Sequence, residues 1–430
     1  MLFYSTNNKA IRVPFREAVL KGLADDNGLF MPLGIPAWKP DYVEGLCRQE
    51  PEEIMFQVAR VFLREDIPDT RLRQIVKDSV NFPIPLVPVH DALYALELFH
   101  GPTLAFKDVG ARFMARVLAY LLEDADREVT VLVATSGDTG SAVANGFLGV
   151  KGIRVVILYP SGKVSEIQEK QLTTLGQNIT AIEVEGTFDD CQSLVKKAFL
   201  DKELAASVTL TSANSINIAR LLPQMFYYFL AWAQLPEKKT PVVVAVPSGN
   251  FGNLTAGLMA KKMGLPVNRF IAATNVNDIV PRYLVTGVFT PQPSLATISN
   301  AMDVGNPSNF ARMLDLYHHN REAMHADIAG YSISDDDTRD MMRTVYRNWN
   351  YLLDTHGAVG YAALARYLQR HPAQGIFLET AHPAKFADIV QATVGITVAI
   401  PERLRSCLKK EKQSLRMRNS YEDLRAILKS

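Results

Sequence analysis

An α/β fold with mostly parallel sheets is predicted by three observations. Short runs rich in Val, Ile and Leu alternate with helical stretches of about ten residues or more. A strand, a glycine-rich turn and a helix follow one another twice, at 129–147 and at 242–263. Such turns lie at the carboxyl ends of parallel strands, where ligands bind. Finally, 430 residues suffice for two or three domains around a large core.

Composition narrows the class. A hydrophobic fraction of 48% and a charged fraction of 21% are those of an ordinary globular enzyme. A formal net charge of +1 gives no reason to expect nucleic acid or a membrane surface as partner. Cys47, Cys191 and Cys407 form no CxxC pair, which points to a reducing compartment and away from a cysteine metal site. Eight scattered histidines offer no metal spacing either, so no metal is expected. Met1 to Lys9 lacks the apolar region of a signal peptide, and no apolar run approaches the ~20 residues of a membrane span. The expected location is the cytoplasm.

Residues 1–90 are expected to form a helical accessory domain. Phe15 to Leu23 reads as a short helix, and Ile54 to Leu63 repeats its apolar residues with a 3.6 period. Asn81 to Pro88 (NFPIPLVP) is punctuated by prolines and reads as a linker, neither helix nor central strand.

Glu97 to Asp108 (ELFHGPTLAFKD) then organises the chain. Lys107 follows the apolar Leu104-Ala105-Phe106 and opens a helix expected to run to about Leu122. A lysine in apolar surroundings has a depressed pKa and becomes a usable nucleophile or base. Such an amine forms a Schiff base with an aldehyde cofactor, usually pyridoxal 5′-phosphate. A lone lysine is more often solvated or ion-paired, so the rest of the chain has to support the reading.

Strands are predicted at 129–134, 153–158, 179–184, 209–211, 242–246, 269–274 and 375–379. Helices are predicted from 141, through 175, at 189–200, 221–233, 254–263, 335–355 and 359–369. Ser248–Asn253 (SGNFGN) sits between strand and helix, so its successive N–H groups and the helix dipole suit a phosphate. It is neither GxGxxG nor a P-loop, and a structural turn is the alternative. Thr135–Gly140 (TSGDTG) is richer in hydroxyls and suits a carboxylate, with a helix cap by Asp138 or Thr139 as alternative. Lys163, Ser165, Asn214, Ser215, Asn217 and Arg220 are polar or cationic and together suit a second anion. Thr380 to Phe386 (TAHPAKF) follows the last strong strand. The tail from Pro401 is basic and reads as a solvated helix or flexible end.

These stretches, with Ser212–Arg220 (SANSINIAR), Ile271–Asp278 (IAATNVND) and Asn300–Val304 (NAMDV), resemble the threonine synthases. Within the pyridoxal-phosphate enzymes of the tryptophan-synthase-β fold type, the likeness is to the longer bacterial and fungal form. The resemblance runs from Gly28 to about residue 400. It implies fold type II: two open, twisted, mostly parallel sheet lobes beside the N-terminal domain. The catalytic domain would span 91–400, with a small lobe at about 100–225 and a large lobe at 91–99 plus 226–400. A basic tail, 401–430, would follow.

The implied reaction takes O-phospho-L-homoserine and water to L-threonine and phosphate, in a monomer or homodimer. A lyase releasing 2-oxobutyrate would share every cofactor contact. The resemblance makes Lys107 the Schiff-base lysine and gives the cofactor phosphate to Gly249, Asn250, Phe251, Gly252 and Asn253. It sets Thr380 against the pyridine nitrogen. It gives the substrate carboxylate to Ser136, Gly137 and Thr139, and the substrate phosphate to Lys163, Ser165, Asn217 and Arg220. Many relatives carry Asn where this chain has Asp138. A carboxylate near the cofactor's phenolate oxygen needs a shared proton or a positive neighbour.

Overall fold

The structure, a computed structural model, describes residues 1–123 and 128–430. Its strands in chain order are β1 (Leu2–Ser5), β2 (Arg12–Pro14), β3 (Phe30–Pro32), β4 (Leu86–His90), β5 (Leu93–Glu97), β6 (Val129–Ala134), β7 (Ile153–Pro160), β8 (Ile179–Glu185), β9 (Thr209–Ser212), β10 (Val242–Pro247), β11 (Arg269–Thr274), β12 (Ile328–Ser332), β13 (Gln374–Glu379) and β14 (Leu415–Arg418). They form three sheets, ordered β2-β1-β3, β12-β11-β10-β13-β5-β4 and β14-β8-β7-β6-β9.

The two larger sheets are parallel apart from β4, which runs antiparallel to β5 at an edge. Every residue of β6, β10 and β13 is buried. Helices cover both faces of such sheets, so their strands carry unbroken apolar runs. These are the strands that the sequence predicts most plainly. In contrast, β12 is a partly buried edge strand with a glycine at its centre, and β4 contains Pro88 beside a register shift. A proline at an edge loses no ladder hydrogen bond, so the proline-rich stretch ends as an edge strand rather than purely as a linker.

The N-terminal region is not wholly helical. Four helices, Phe15–Lys21, Pro40–Leu46, Pro51–Leu63 and Asp69–Ser79, accompany the antiparallel β2-β1-β3 sheet. Its strands are three or four residues long, too short to show a period of two. The apolar stretch expected as one helix from Leu221 divides into Ile218–Leu221, a 3-10 turn Leu222–Gln224 that contains Pro223, and Met225–Gln234. Proline supplies no N–H and interrupts the ladder there.

The tail is built into the fold, which corrects its reading as a solvated or flexible end. β14 adds in parallel to β8, with Leu415 opposite Ile182 and Arg418 opposite Glu185. Met417, Leu424 and Leu428 are buried in one cluster with Cys191 and Leu194. Lys412 bridges Glu169 at 2.7 Å and Glu183 at 2.6 Å. Three apolar anchors among many basic residues give little sequence signal.

Candidate active site

The segments ELFHGPTLAFKD and TAHPAKF leave the large sheet side by side. β5 and β13 pair in parallel and end with Glu97 opposite Glu379. Beyond the strands, Leu98 N–H donates to Glu379 O at 2.9 Å, Phe106 N–H to Thr380 O at 2.8 Å and His382 N–H to Leu104 O at 3.1 Å. Lys107 is the next residue and opens the helix Lys107–Leu121. The backbone that carries Lys107 is thus anchored, one residue away, to the strand end that carries Thr380.

Lys107 is half-buried, and its amine lies deep enough for desolvation to dominate. Burial pulls its pKa down to about 8, the positive charges of Arg220 and Lys385 push the same way, and Asp138 opposes them. Arg220 and Lys385 are 4% and 1% exposed, so these are interior charges. The Lys385 ammonium lies 2.6 Å from Asp138 Oδ1 and donates to Thr103 O at 2.9 Å. Gln168 Nε2 donates to the same Asp138 oxygen at 2.8 Å. Burial alone would raise Asp138, but Lys385 and Lys107 overcome it and hold its carboxyl down at about 2. The positive neighbour required of this carboxylate is therefore Lys385.

The TSGDTG loop is held from within. Thr135 Oγ1 accepts from Gly137 N–H at 3.0 Å and Gly140 N–H at 2.8 Å. Gly137 has φ 150°, and a Cβ there would lie 2.7 Å from the Gln168 side chain that positions Asp138. Its N–H is therefore spent inside the loop. Among the described hydrogen bonds none engages the hydroxyls of Ser136 or Thr139, both half-buried.

The SGNFGN loop joins β10 to the helix Gly252–Lys262. Asn253 fixes its shape: Ser248 Oγ donates to Asn253 Oδ1 at 3.0 Å, and Asn253 Nδ2 donates to Pro247 O at 2.9 Å. Phe251 is left-handed, φ 60°. Among the described hydrogen bonds none uses the backbone N–H of Gly249, Asn250, Phe251, Gly252 or Asn253. Five successive donors at a helix start make an anion cradle. The NAMDV turn closes over it. A Cβ on Gly249 would sit 2.8 Å from Met302 Cα and 2.9 Å from Ala301 O.

The four residues given to the substrate phosphate fall into different surroundings. Lys163 is exposed. Ser165 caps the helix Glu166–Thr173 through Gln168 N–H. Asn217 is fully buried and spent: Nδ2 donates to Val19 O at 2.9 Å and Ser212 O at 3.0 Å, and Oδ1 accepts from Ala219 N–H. It has no donor left for a phosphate, which corrects that assignment. Arg220 is close enough to Lys107 to act on its charge, and its Nε is buried without an acceptor.

Sequence reasoning missed Lys385 and Gln168. Lys385 stands between Ala384 and Phe386, a setting like that of Lys107 after Phe106, and that signal was available. It also missed an acidic group beneath Thr380. Burial, and then the negative charges of Asp354 and Glu97, push Glu379 well above the usual carboxyl range.

A family model described as pyridoxal-phosphate dependent enzyme matches residues 80–378. Models described as threonine synthase N terminus and threonine synthase, C-terminal match residues 2–80 and 357–428. A threonine synthase from Serratia marcescens is 47% identical over 406 residues, 94% of this chain and 93% of that one. A solved threonine synthase from Escherichia coli superimposes with a TM-score of 0.93 at 43% identity, covering 100% of this chain and 99% of the other. A pyridoxal-phosphate-bound threonine synthase from Brucella melitensis gives 0.94 at 34% identity, again over 100% and 99%.

Proposed function

The chain belongs to the threonine synthase family of pyridoxal-phosphate-dependent enzymes, and from that membership we propose how its own residues carry the reaction. It is an enzyme that converts O-phospho-L-homoserine and water to L-threonine and phosphate with pyridoxal 5′-phosphate. The residues present fit that cofactor. Five unpartnered N–H groups at 249–253 suit its phosphate, and a half-buried amine at about 8 suits its aldehyde. Bound, the cofactor supplies an electron sink next to the substrate's nitrogen, which lets the γ-phosphate leave and water add at the β carbon.

Lys107 holds the aldehyde and afterwards moves protons. With its pKa near 8, the amine is divided between protonated and neutral forms around neutral pH, so it both accepts and returns a proton. The N–H groups of Gly249, Asn250, Phe251, Gly252 and Asn253 would hold the cofactor phosphate, and Thr380 would face the ring nitrogen. Asp138 would lie toward the ring oxygen, with the Lys385 ammonium balancing the two negative charges. For the substrate carboxylate we keep the free hydroxyls of Ser136 and Thr139. For its phosphate we keep Arg220, with Lys163 at the exposed rim.

We take the lobes to divide as the family's do, with the accessory region ending near residue 90. No helix among the described residues is long and apolar enough to cross a membrane. The three separated cysteines support a cytoplasmic setting.

One observation carries this reading: Lys107 directly follows the backbone bond from Phe106 N–H to Thr380 O, and its amine feels the charges of Asp138, Arg220 and Lys385. The test is incubation with O-phospho-L-homoserine while threonine, 2-oxobutyrate and phosphate are assayed together. Equal threonine and phosphate support it. Phosphate with 2-oxobutyrate in place of threonine would overturn the synthase assignment and leave the cofactor site standing.

A further inference from the structure

Arg312, on the helix Phe310–Leu316, is fully buried. Its Nε and Nη2 donate to Phe30 O at 3.2 and 3.0 Å, and Nη2 also donates to Ile216 O at 2.6 Å. Its Nη1 donates to Ser215 O at 3.1 Å and to Asn309 Oδ1 at 2.7 Å. Every acceptor is neutral. Asp315, one turn along, is spent on Lys9 at 2.8 Å and on the Tyr4 hydroxyl. Among the described residues no carboxylate pairs with Arg312. Burial lowers its pKa only to about 9, so the guanidinium stays charged at neutral pH. An interior charge is costly unless an opposite charge balances it.

The hydrogen bonds lead from this charge to the SGNFGN loop. Asn309, which accepts from Arg312, donates through Nδ2 to Ser215 Oγ at 3.2 Å. Asn250 Nδ2 donates to the same hydroxyl at 2.7 Å. A Cβ on Gly252 would lie 3.4 Å from both Asn309 Nδ2 and Ser215 Cβ. The guanidinium is therefore linked to the loop at Asn250 and Gly252 through one layer of neutral side chains.

We propose that Arg312 is a positioning residue whose buried charge is balanced, across Asn309 and Ser215, by the phosphate of the bound cofactor. This rests on the reading of residues 249–253 as the cofactor-phosphate cradle. It makes Arg312 specific for the phosphate and indifferent to the rest of the ring.

The test compares pyridoxal 5′-phosphate with pyridoxal, which offers the same aldehyde and no phosphate. Cofactor-stripped wild type, R312M and R312K are titrated with each, and binding is read from the ring's absorbance. R312M is expected to lose tenfold or more in affinity for pyridoxal phosphate and less than twofold for pyridoxal. R312K, which keeps the charge, is expected to recover most of the difference. Equal losses for both ligands would make Arg312 a clamp between segments and overturn the proposal. So would unchanged binding of pyridoxal phosphate.

A second measurement needs no variant. In the wild-type holoenzyme the ³¹P shift of the bound phosphate should stay that of the dianion well below pH 6, where a free phosphate monoester takes up its second proton. Titration near pH 6 would overturn the proposal even where R312M fails to fold. If the wild type shows no preference for the phosphorylated ligand, the cradle reading itself fails, and that result is distinct from a loss shared equally by both ligands.

Discussion

Replacing Lys107, the proposed Schiff-base lysine, should stabilise the cofactor-free protein. Lys107→Met keeps the unbranched stem and removes the ammonium. Burial displaces the amine from 10.5 to about 8, which corresponds to about 3 kcal/mol at the outset. Water still reaches this half-buried group, so roughly 2 kcal/mol is the working figure.

The sign follows from proton counts. Between about 8 and 10.5 the unfolded chain binds the proton that the folded chain releases, so stability rises with pH across that window. Below it the whole penalty is present. The gain from Lys107→Met is therefore full at pH 7 and falls below ~1 kcal/mol at pH 10. With an unfolding entropy near 2 cal/mol/K per residue, the gain at pH 7 amounts to a Tm rise of about 2–3 °C. The assay is thermal unfolding of stripped wild type and variant at both pH values. A fall in Tm at pH 7, or an equal shift at both, would refute the desolvation argument. Turnover should vanish in the same variant, the usual conflict between a strained reactive group and stability.

Further outcomes follow from the neighbours of Lys107. Lys385→Met leaves Asp138 charged, buried and short of a partner, and should cost about 3–5 kcal/mol. Adding Asp138→Asn should recover part of that loss in the same melting assay. In the wild type the Asp138 contribution is full above its ordinary pKa of 3.8 and is lost as pH falls through about 2, so acid unfolding of Lys385→Met should begin at higher pH. Gly249→Ala pushes a methyl into the backbone of Ala301 and Met302. It should cost about 1–3 kcal/mol and weaken pyridoxal phosphate binding in a titration of the stripped enzyme. Glu379→Gln should raise Tm at pH 7 and leave it unchanged near pH 4. A carboxyl whose pKa is raised by folding contributes less stability as pH rises above its ordinary value.

What the sequence reveals here depends on how each residue is buried. β6, β10 and β13 are covered on both faces and announce themselves as apolar runs. β5 and β12 lie nearer the sheet edges, carry mixed residues and are invisible to the same test. Lys107 and the two glycine-rich loops are legible because each is a local pattern. The Asp138–Lys385 pair is not, since its partners are some 250 residues apart and the meeting of β5 with β13 brings Lys385 near Lys107. Asn217 misleads for a related reason. A polar side chain looks the same in sequence whether it faces a ligand or closes a turn on Val19.

The placement of β14 sets a timetable for synthesis. The sheet that carries the TSGDTG loop is complete up to β9 when residue 212 has been made, yet the flank of β8 remains open until residues 415–418 exist. At about 5–20 residues per second that wait is roughly 10–40 s. Through it the nascent chain presents a row of unclaimed backbone donors and acceptors, with Cys191 and Leu194 uncovered beside them. A ribosome that stalls past residue 380 has already supplied Lys107, Thr380 and both loops, yet the truncated product still lacks the strand that closes the edge of β8. Residues 415–430 are thus the last piece to close the lobe, long after every other strand of its sheet has been made.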